Sequence, residues 1–283
     1  MQPRGDRKKL FVELQDQMVR GHFKPEMSLS QNFCIDEHVI HNVIHFAKIK
    51  KNEKVLEIGP GTGFLTRELL AKGAKVTSIE KSASLFDFLS AELSSASLTL
   101  AHADFLEHPV VETEKITAFP PYAIAGDIMQ KILVEYDADS MVLVWQAEFA
   151  EKLVAFPGFP SYGPLSVLTH CLGKSQIAEK VSRAAFFPVP KSDSVIWKFE
   201  RREKTGATFD KARFAFFLKH LFRFSNKNLA NAAKLAFGFF EKELGLQQKP
   251  FARAIERSGL GEEKVNLIEA NELLEIYRGI GEK

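Results

Sequence analysis

The sequence predicts an α/β chain: a mostly parallel sheet covered by helices on both faces, followed by a small all-helical domain. Three observations carry this. Short apolar runs alternate with helical periodicity from residue 36 to about residue 155. One of these runs, Val55 to Ile58, ends in a glycine-rich turn that opens the next helix. Beyond residue 208 only helical spacing remains.

The first of these helices runs from Asp36 to about Lys48, with Ile40, Val43, Ile44 and Ala47 on one apolar face. Strands are expected near 54–58, 75–80, 98–103, 116–119 and 140–146. Helices fill the gaps near 63–72, 84–93, 123–134 and 147–155. Such alternation means a parallel sheet, because each crossover helix must cover a sheet face. A later pair of runs, Ser175–Val181 and Ser194–Phe199, is separated by a turn at Pro188-Val189-Pro190 and adds an antiparallel edge. Residues 201–208 are polar, contain Gly206 and read as a linker. The helical tail breaks near Ser225, at Gln247–Pro250 and around Gly259–Gly261. The expected domains are a Rossmann-like one at 1–203, with residues 1–35 as an N-terminal extension, and a helical one at 207–283.

Composition excludes several classes. Hydrophobic content of 45% with 26% charge suits a soluble globular protein rather than a disordered one. No apolar run approaches the ~20 residues of a membrane span. The basic start lacks an apolar core and is no secretory signal. Two cysteines, Cys34 and Cys171, make no disulfide framework and read as small buried hydrophobes in a reducing compartment, so a cytoplasmic location is expected. Net charge is +2 overall, but residues 201–283 carry 16 Lys and Arg against 11 Asp and Glu. A basic tail on a near-neutral body suits a polyanionic partner. His38, His41 and His45 have helical spacing, but nothing completes a metal set, so no metal is expected.

The glycine turn carries the chemistry. Gly59-Pro60-Gly61-Thr62-Gly63 follows the first strand, and Phe64 to Leu70 has helical spacing. Glycines there let the backbone approach a ligand that a side chain would block. Glu80 ends the next apolar run, where a ribose-binding carboxylate belongs in a Rossmann-like unit. Phe64 replaces the last glycine of the dinucleotide fingerprint. That departure, with Glu57 ahead of the turn, favours S-adenosylmethionine over a nicotinamide cofactor.

Further segments follow in a fixed order: Ser30-Gln31-Asn32-Phe33-Cys34-Ile35-Asp36, the glycine turn, Glu80, His102-Ala103-Asp104-Phe105-Leu106 and Phe119-Pro120-Pro121-Tyr122. Tyr162-Gly163-Pro164-Leu165-Ser166-Val167 and Phe186 to Ser194 come next, and Lys227-Asn228-Leu229-Ala230-Asn231-Ala232 lies in the tail. This co-linear set resembles the ribosomal RNA adenine N6-dimethyltransferases, which include the small-subunit enzymes and the macrolide-resistance methyltransferases.

The resemblance implies a Rossmann-like S-adenosylmethionine methyltransferase sheet and a role for each motif. Gly59 and Gly61 pass close to the methionine part of the cofactor, and Glu80 accepts from the ribose hydroxyls. Asp104 accepts from the cofactor's adenine amine. Gln31, Asn32 and the backbone at Cys34 close over the methionine end, and Phe119 lines the cofactor side as well. Pro120, Tyr122 and Phe186 serve the target base, with Tyr122 and Phe186 stacking on opposite sides of it. Lys191, Arg223, Lys227 and Lys234 contact phosphates of ribosomal RNA or of a ribosomal subunit precursor. No metal or membrane is implied, and the chain is expected to work as a monomer.

One position departs from the family. The usual Asn, which accepts a hydrogen bond from the target amine, is Phe119 here, and a phenyl ring cannot accept one. The expected activity is methylation of adenine N6 in ribosomal RNA, slowed by that loss. A non-catalytic RNA-binding or ribosome-assembly factor on the same fold is the alternative. A nicotinamide oxidoreductase is disfavoured by Phe64 and by the lack of hydride-transfer residues.

Overall fold

The computed structural model describes residues 4–26, 29, 31–202 and 209–281. Ser30 and, within the expected linker, residues 203–208 lie outside the described residues. In chain order the elements begin with α1 (Arg4–Arg20), β1 (Phe33–Cys34), α2 (Glu37–Ala47), β2 (Lys54–Ile58), α3 (Phe64–Ala71) and β3 (Lys75–Glu80). They continue with α4 (Ala83–Glu92), β4 (Leu98–His102), β5 (Lys115–Ala118), α5 (Ala125–Glu135), β6 (Ser140–Gln146), α6 (Ala147–Val154) and α7 (Pro164–Leu172). The last are β7 (Gly173–Val181), β8 (Phe186–Phe187), β9 (Ser194–Arg201), α8 (Lys211–Leu221), α9 (Leu229–Leu244), α10 (Gln248–Ser258) and α11 (Ala270–Gly281).

Contacts divide the chain into two compact units. The first comprises Met1–Ile128, Tyr136–Ala150 and Gln176–Arg201; the second comprises Met129–Glu135, Glu151–Ser175 and Arg202–Lys283.

The first unit is built on a seven-stranded sheet of order β4-β3-β2-β5-β6-β9-β7. Strands β2 to β6 pair in parallel, and β9 runs antiparallel to β6. The five parallel strands fall within one residue of the sequence expectation. From β2 the chain moves outward through β3 and β4, then returns to place β5 on the other side of β2. That reversal opens a crevice beyond the C-terminal ends of β2 and β5, where open α/β sheets bind ligands. Val55, Val76, Val142, Val144 and Ile196 of the sheet share a buried cluster with Ile40, Val43 and Ile44 of α2. Asp36 caps α2 by accepting from the His38 amide at 3.2 Å, and Lys48 ends it in a left-handed conformation.

Three features of this unit have no strong sequence signal. Among its described side chains helix α1 buries Leu10, Leu14 and Gln17, a stripe too thin to stand out. Phe11 and Met18 pack against the same core, and ion pairs Arg7–Asp36, Lys9–Glu37, Glu13–Arg67 and Arg20–Glu92 flank that contact. The two-residue strands β1 and β8 pair with each other, Phe33 with Phe187 and Cys34 with Phe186. A ladder that short has no periodicity to read.

The second unit is helical. Asp210 caps α8 by accepting from the Arg213 amide at 2.9 Å, and Asn228 caps α9 by accepting from the Asn231 amide at 3.0 Å. Phe214, Phe217, Phe240 and Phe251 form its aromatic centre. The break expected at Gln247–Pro250 falls slightly earlier, at Gly245–Gln247. Pro250 lies in the first turn of α10, where its missing N–H leaves no helix bond unmade. Pro164 likewise starts α7, a helix the sequence pattern did not suggest.

Candidate active site

The site grows from the turn after β2. Gly59 and Gly61 have φ of 66° and 58°, a region that a side chain makes costly. A Cβ at Gly61 would lie 3.1 Å from the Phe33 ring, while one at Gly59 would meet nothing closer than Pro121 Cδ at 4.0 Å. Both glycines line a cavity with Gln31, Asn32, Cys34, Glu57, Glu80, Asp104, Phe119, Pro120 and Tyr122. Residues from five separate segments, from Gln31 to Tyr122, therefore meet at one crevice.

Glu80 is 5% exposed at the end of β3. Its Oε2 accepts from the Gly61 amide at 3.2 Å, and its Oε1 accepts from the Ser82 amide at 2.8 Å. Burial raises its pKa, and the amide hydrogen bonds work against that rise. The carboxylate is thus oriented by backbone before any ligand arrives. Ser82 in turn donates from its hydroxyl to Glu26 at 2.8 Å, and the Glu26 amide donates to Gln31 Oε1 at 2.8 Å. These bonds tie the N-terminal segment to the cavity wall.

Behind the turn lies Glu57, 1% exposed, with Oε2 accepting from Thr66 and Ser78 hydroxyls at 2.7 Å each. Burial pushes its pKa up to about 7, against the pull of those two hydrogen bonds. Asp104 sits at the rim, where Oδ2 pairs with Lys81 Nζ at 2.7 Å and Oδ1 accepts from the Leu106 amide at 2.9 Å. Cys34 is buried, and burial raises its thiol to about 12, so it is no nucleophile at neutral pH.

The far end of the cavity is aromatic. Phe119 and Tyr122 follow β5, and the Tyr122 hydroxyl shares a 2.8 Å hydrogen bond with Ser194 Oγ. Burial holds the phenol protonated. Phe186 departs from the expected arrangement. It is 1% exposed, is absent from the cavity wall, and meets Tyr122 and Phe119 edge-on at 6.5 and 6.2 Å. Rings in a T-shape leave no base-width slot between them, because the β1–β8 ladder draws Phe186 into the core.

The four basic residues expected on RNA are all exposed. Lys191 follows β8 in the first unit, while Arg223, Lys227 and Lys234 lie in the second, around the start of α9. Sequence reasoning missed the polar partners that orient the site: Ser82, Thr66, Ser78 and Ser194. A serine or threonine in a strand or turn has no distinguishing pattern, so only the fold reveals them. Among the described residues no group of three or more His, Cys, Asp or Glu could hold a metal ion. His41 instead faces Glu68 at 3.7 Å, and His38 contacts Asn42. No described helix is long and apolar enough to cross a membrane.

Residues 22–245 match the family model of ribosomal RNA adenine dimethylase. The chain belongs to that family. It is 34% identical over 247 residues to the ribosomal RNA small subunit methyltransferase A of Clostridium botulinum strain Okra, covering 84% of this chain and 87% of the relative. The probable enzyme of the same name from Thermococcus sibiricus is 37% identical over 183 residues, covering 65% and 67% of the two chains. A dimethyladenosine transferase from Plasmodium falciparum superposes with a TM-score of 0.75 at 25% identity, covering 87% of this chain and 97% of that one. The 23S rRNA methyltransferase ErmE gives 0.61 at 27% identity, covering 89% and 100%. The activity is S-adenosylmethionine-dependent methylation of adenine in ribosomal RNA, on a Rossmann-like methyltransferase fold. Family membership sets aside the nicotinamide oxidoreductase.

Proposed function

We propose that this chain methylates N6 of an unpaired adenine in a ribosomal subunit precursor, with S-adenosylmethionine held in the crevice beyond β2 and β5. The observation that carries the reading is Glu80, a buried carboxylate oriented by the Gly61 and Ser82 amides beside an open backbone wall at Gly59. A ribose with two hydroxyls fits that pair of features, since each hydroxyl donates to a carboxylate whose position is already set.

Asp104 at the rim accepts from the adenine amine, and Gln31, Asn32 and the Cys34 backbone enclose the methionine end. The bound cofactor supplies a methyl group already activated on a sulfonium. The protein's task is then alignment rather than covalent catalysis. With Phe119 in place of an amide, the backbone carbonyl at Pro120 remains to accept from the target amine. Tyr122 offers its ring to the base, which must leave its stack to reach the crevice. Phe186 supports that ring from beneath instead of closing a sandwich. Lys191, Arg223, Lys227 and Lys234 meet phosphates. The working form is a monomer in the cytoplasm.

The test is transfer of radiolabelled methyl to unmodified ribosomal particles, followed by mapping of the labelled nucleoside. Label in N6-methylated adenosine is expected. A chain that binds S-adenosylmethionine in calorimetry yet labels no particle would be an RNA-binding factor instead.

A further inference from the structure

The outer face of α8 carries planar side chains that the methyl-transfer site does not use. Phe216, His220 and Arg223 recur at intervals of four and three residues, so they stand on one side of the helix and the turn that follows it. Phe239 of α9 completes a ladder. Phe216 and His220 have ring centroids 4.3 Å apart with planes tilted by 38°, His220 and Phe239 are stacked at 4.3 Å and 28°, and the Arg223 guanidinium lies 5.1 Å from the Phe239 centroid.

The Phe239 end of the ladder faces solvent: Phe239 is 38% exposed and Leu235, one turn before it, 53%, while Phe216 and His220 are half-buried. The Nδ1 of His220 is buried without a hydrogen-bond partner among the described residues, so stacking holds the ring in place. Burial, Arg223 and Lys219 lower the His220 pKa, and Glu243 works against them. Neither Lys219 nor Arg223 has a carboxylate partner among the described residues. In the first unit, by contrast, Arg7, Lys9, Arg20, Arg67, Lys81 and Lys115 are all paired.

We propose that this ladder is a stacking platform for an unpaired base of the ribosomal RNA, with Arg223 and Lys219 on the adjoining phosphates. The proposal rests on ribosomal RNA being the substrate, and it concerns a site distinct from the crevice that takes the target adenine. An acidic protein segment would satisfy the two cations but gains nothing from a row of stacked planes. A nucleobase extends that row, and because every base has a π-face the platform needs no sequence code. The base enters over Phe239, where Arg223 now lies, and the guanidinium moves to the phosphate beside it. Arginine suits both positions, since its planar group stacks on rings and also pairs with phosphate oxygens.

The experiment compares two labelled strands of ~12 nucleotides, one of adenylates and one of the same length with abasic riboses, binding to the full-length protein. Wild type should prefer the adenylate strand. Phe239→Ala should weaken adenylate binding by roughly 5- to 100-fold while leaving abasic binding and its salt dependence unchanged. Phe239→Tyr should retain the preference. Arg223→Gln should lower the slope of log affinity against log salt by about 0.7 for a single strand. Unchanged S-adenosylmethionine affinity in each variant, by calorimetry, checks that the chain still folds. No preference in wild type, or equal binding by wild type and Phe239→Ala, overturns the platform even if methyl transfer to ribosomal particles is intact. Loss of a ribosomal protein contact in Phe239→Ala, with RNA binding unchanged, assigns the face to a protein and overturns it as well.

Discussion

The candidate cofactor crevice of the first unit and the basic face of the second treat polar groups differently. In the first, the carboxylates that matter are buried and already hydrogen-bonded: Glu57 to Thr66 and Ser78, Glu80 to Gly61 and Ser82. In the second, Lys219, Arg223, Lys227 and Lys234 are exposed and have no carboxylate partner among the described residues. The contrast follows from ligand size. A small cofactor is recognised by a few groups fixed in advance, since preorganisation removes the cost of ordering them on binding. A long polyanion is recognised by counterion release over many contacts, which rewards cations that are not already neutralised.

The sharpest way to break this contrast is at Phe119, an apolar residue where the resemblance implies a polar acceptor. Phe119→Asn should raise turnover by about 10²-fold, the scale for one preorganised hydrogen-bonding group. It should also shift product from mono- toward dimethyladenine, because the amide is smaller than the ring. Single-turnover transfer and mass spectrometry of digested RNA measure both. Wild-type turnover equal to the variant's would mean that Pro120 and Tyr122 suffice.

A second test concerns the cost of burying Glu57. Its folded pKa of about 7 lies above the ordinary 4.5, so the folded state holds the proton more tightly. The burial penalty is therefore absent below about pH 4.5, grows as pH rises, and is complete above about 7, at roughly 3 kcal/mol. Glu57→Gln should remove this loss, so that in the absence of cofactor its advantage over wild type in denaturant unfolding widens from acid to neutral pH. A constant difference across that range would show that Glu57 ionises freely in the fold.

Glu80 tests preorganisation directly. Glu80→Ala should weaken S-adenosylmethionine binding by about 1.5–3 kcal/mol, the range for hydrogen bonds to a charged group, and unfolding measured alongside separates this from the cost of leaving the Gly61 and Ser82 amides unpaired. Unchanged calorimetric affinity removes Glu80 from the site. The smallest effect belongs to the second unit. Replacing Lys227 and Lys234 with Gln should flatten the salt dependence of RNA binding by up to ~0.9 log units per lost duplex phosphate contact, with cofactor affinity untouched. An identical slope would mark them as solvated surface.

Much of the first unit was legible because its signals are periodic or rest on backbone geometry. Strands β2 to β6 declare themselves as apolar runs, α2 as a stripe with a capping Asp36, and the crevice as glycines whose φ is positive. Asp104 and Glu80 could be placed because each ends a strand, and the strands of a parallel sheet end on the same side. Helix α1 was not legible, because its apolar stripe of Leu10, Phe11, Leu14 and Met18 is short and set among charged residues. The helix at Pro164–Leu172 lies within a motif whose sequence carried no helical reading.

What the sequence determined by itself was the order of the five parallel strands and their crossover helices, the turn chemistry and the family, since those depend on neighbours in the chain. The tertiary structure decided where Phe186 points, for its partner Cys34 is distant in sequence and the pairing turns the ring into the core. It also decided which charges remain unpaired, and it assembled Phe216, His220, Arg223 and Phe239 into one stack from two helices. Burial and partnership arise between segments remote in the chain, and no local pattern encodes a distance that only packing sets.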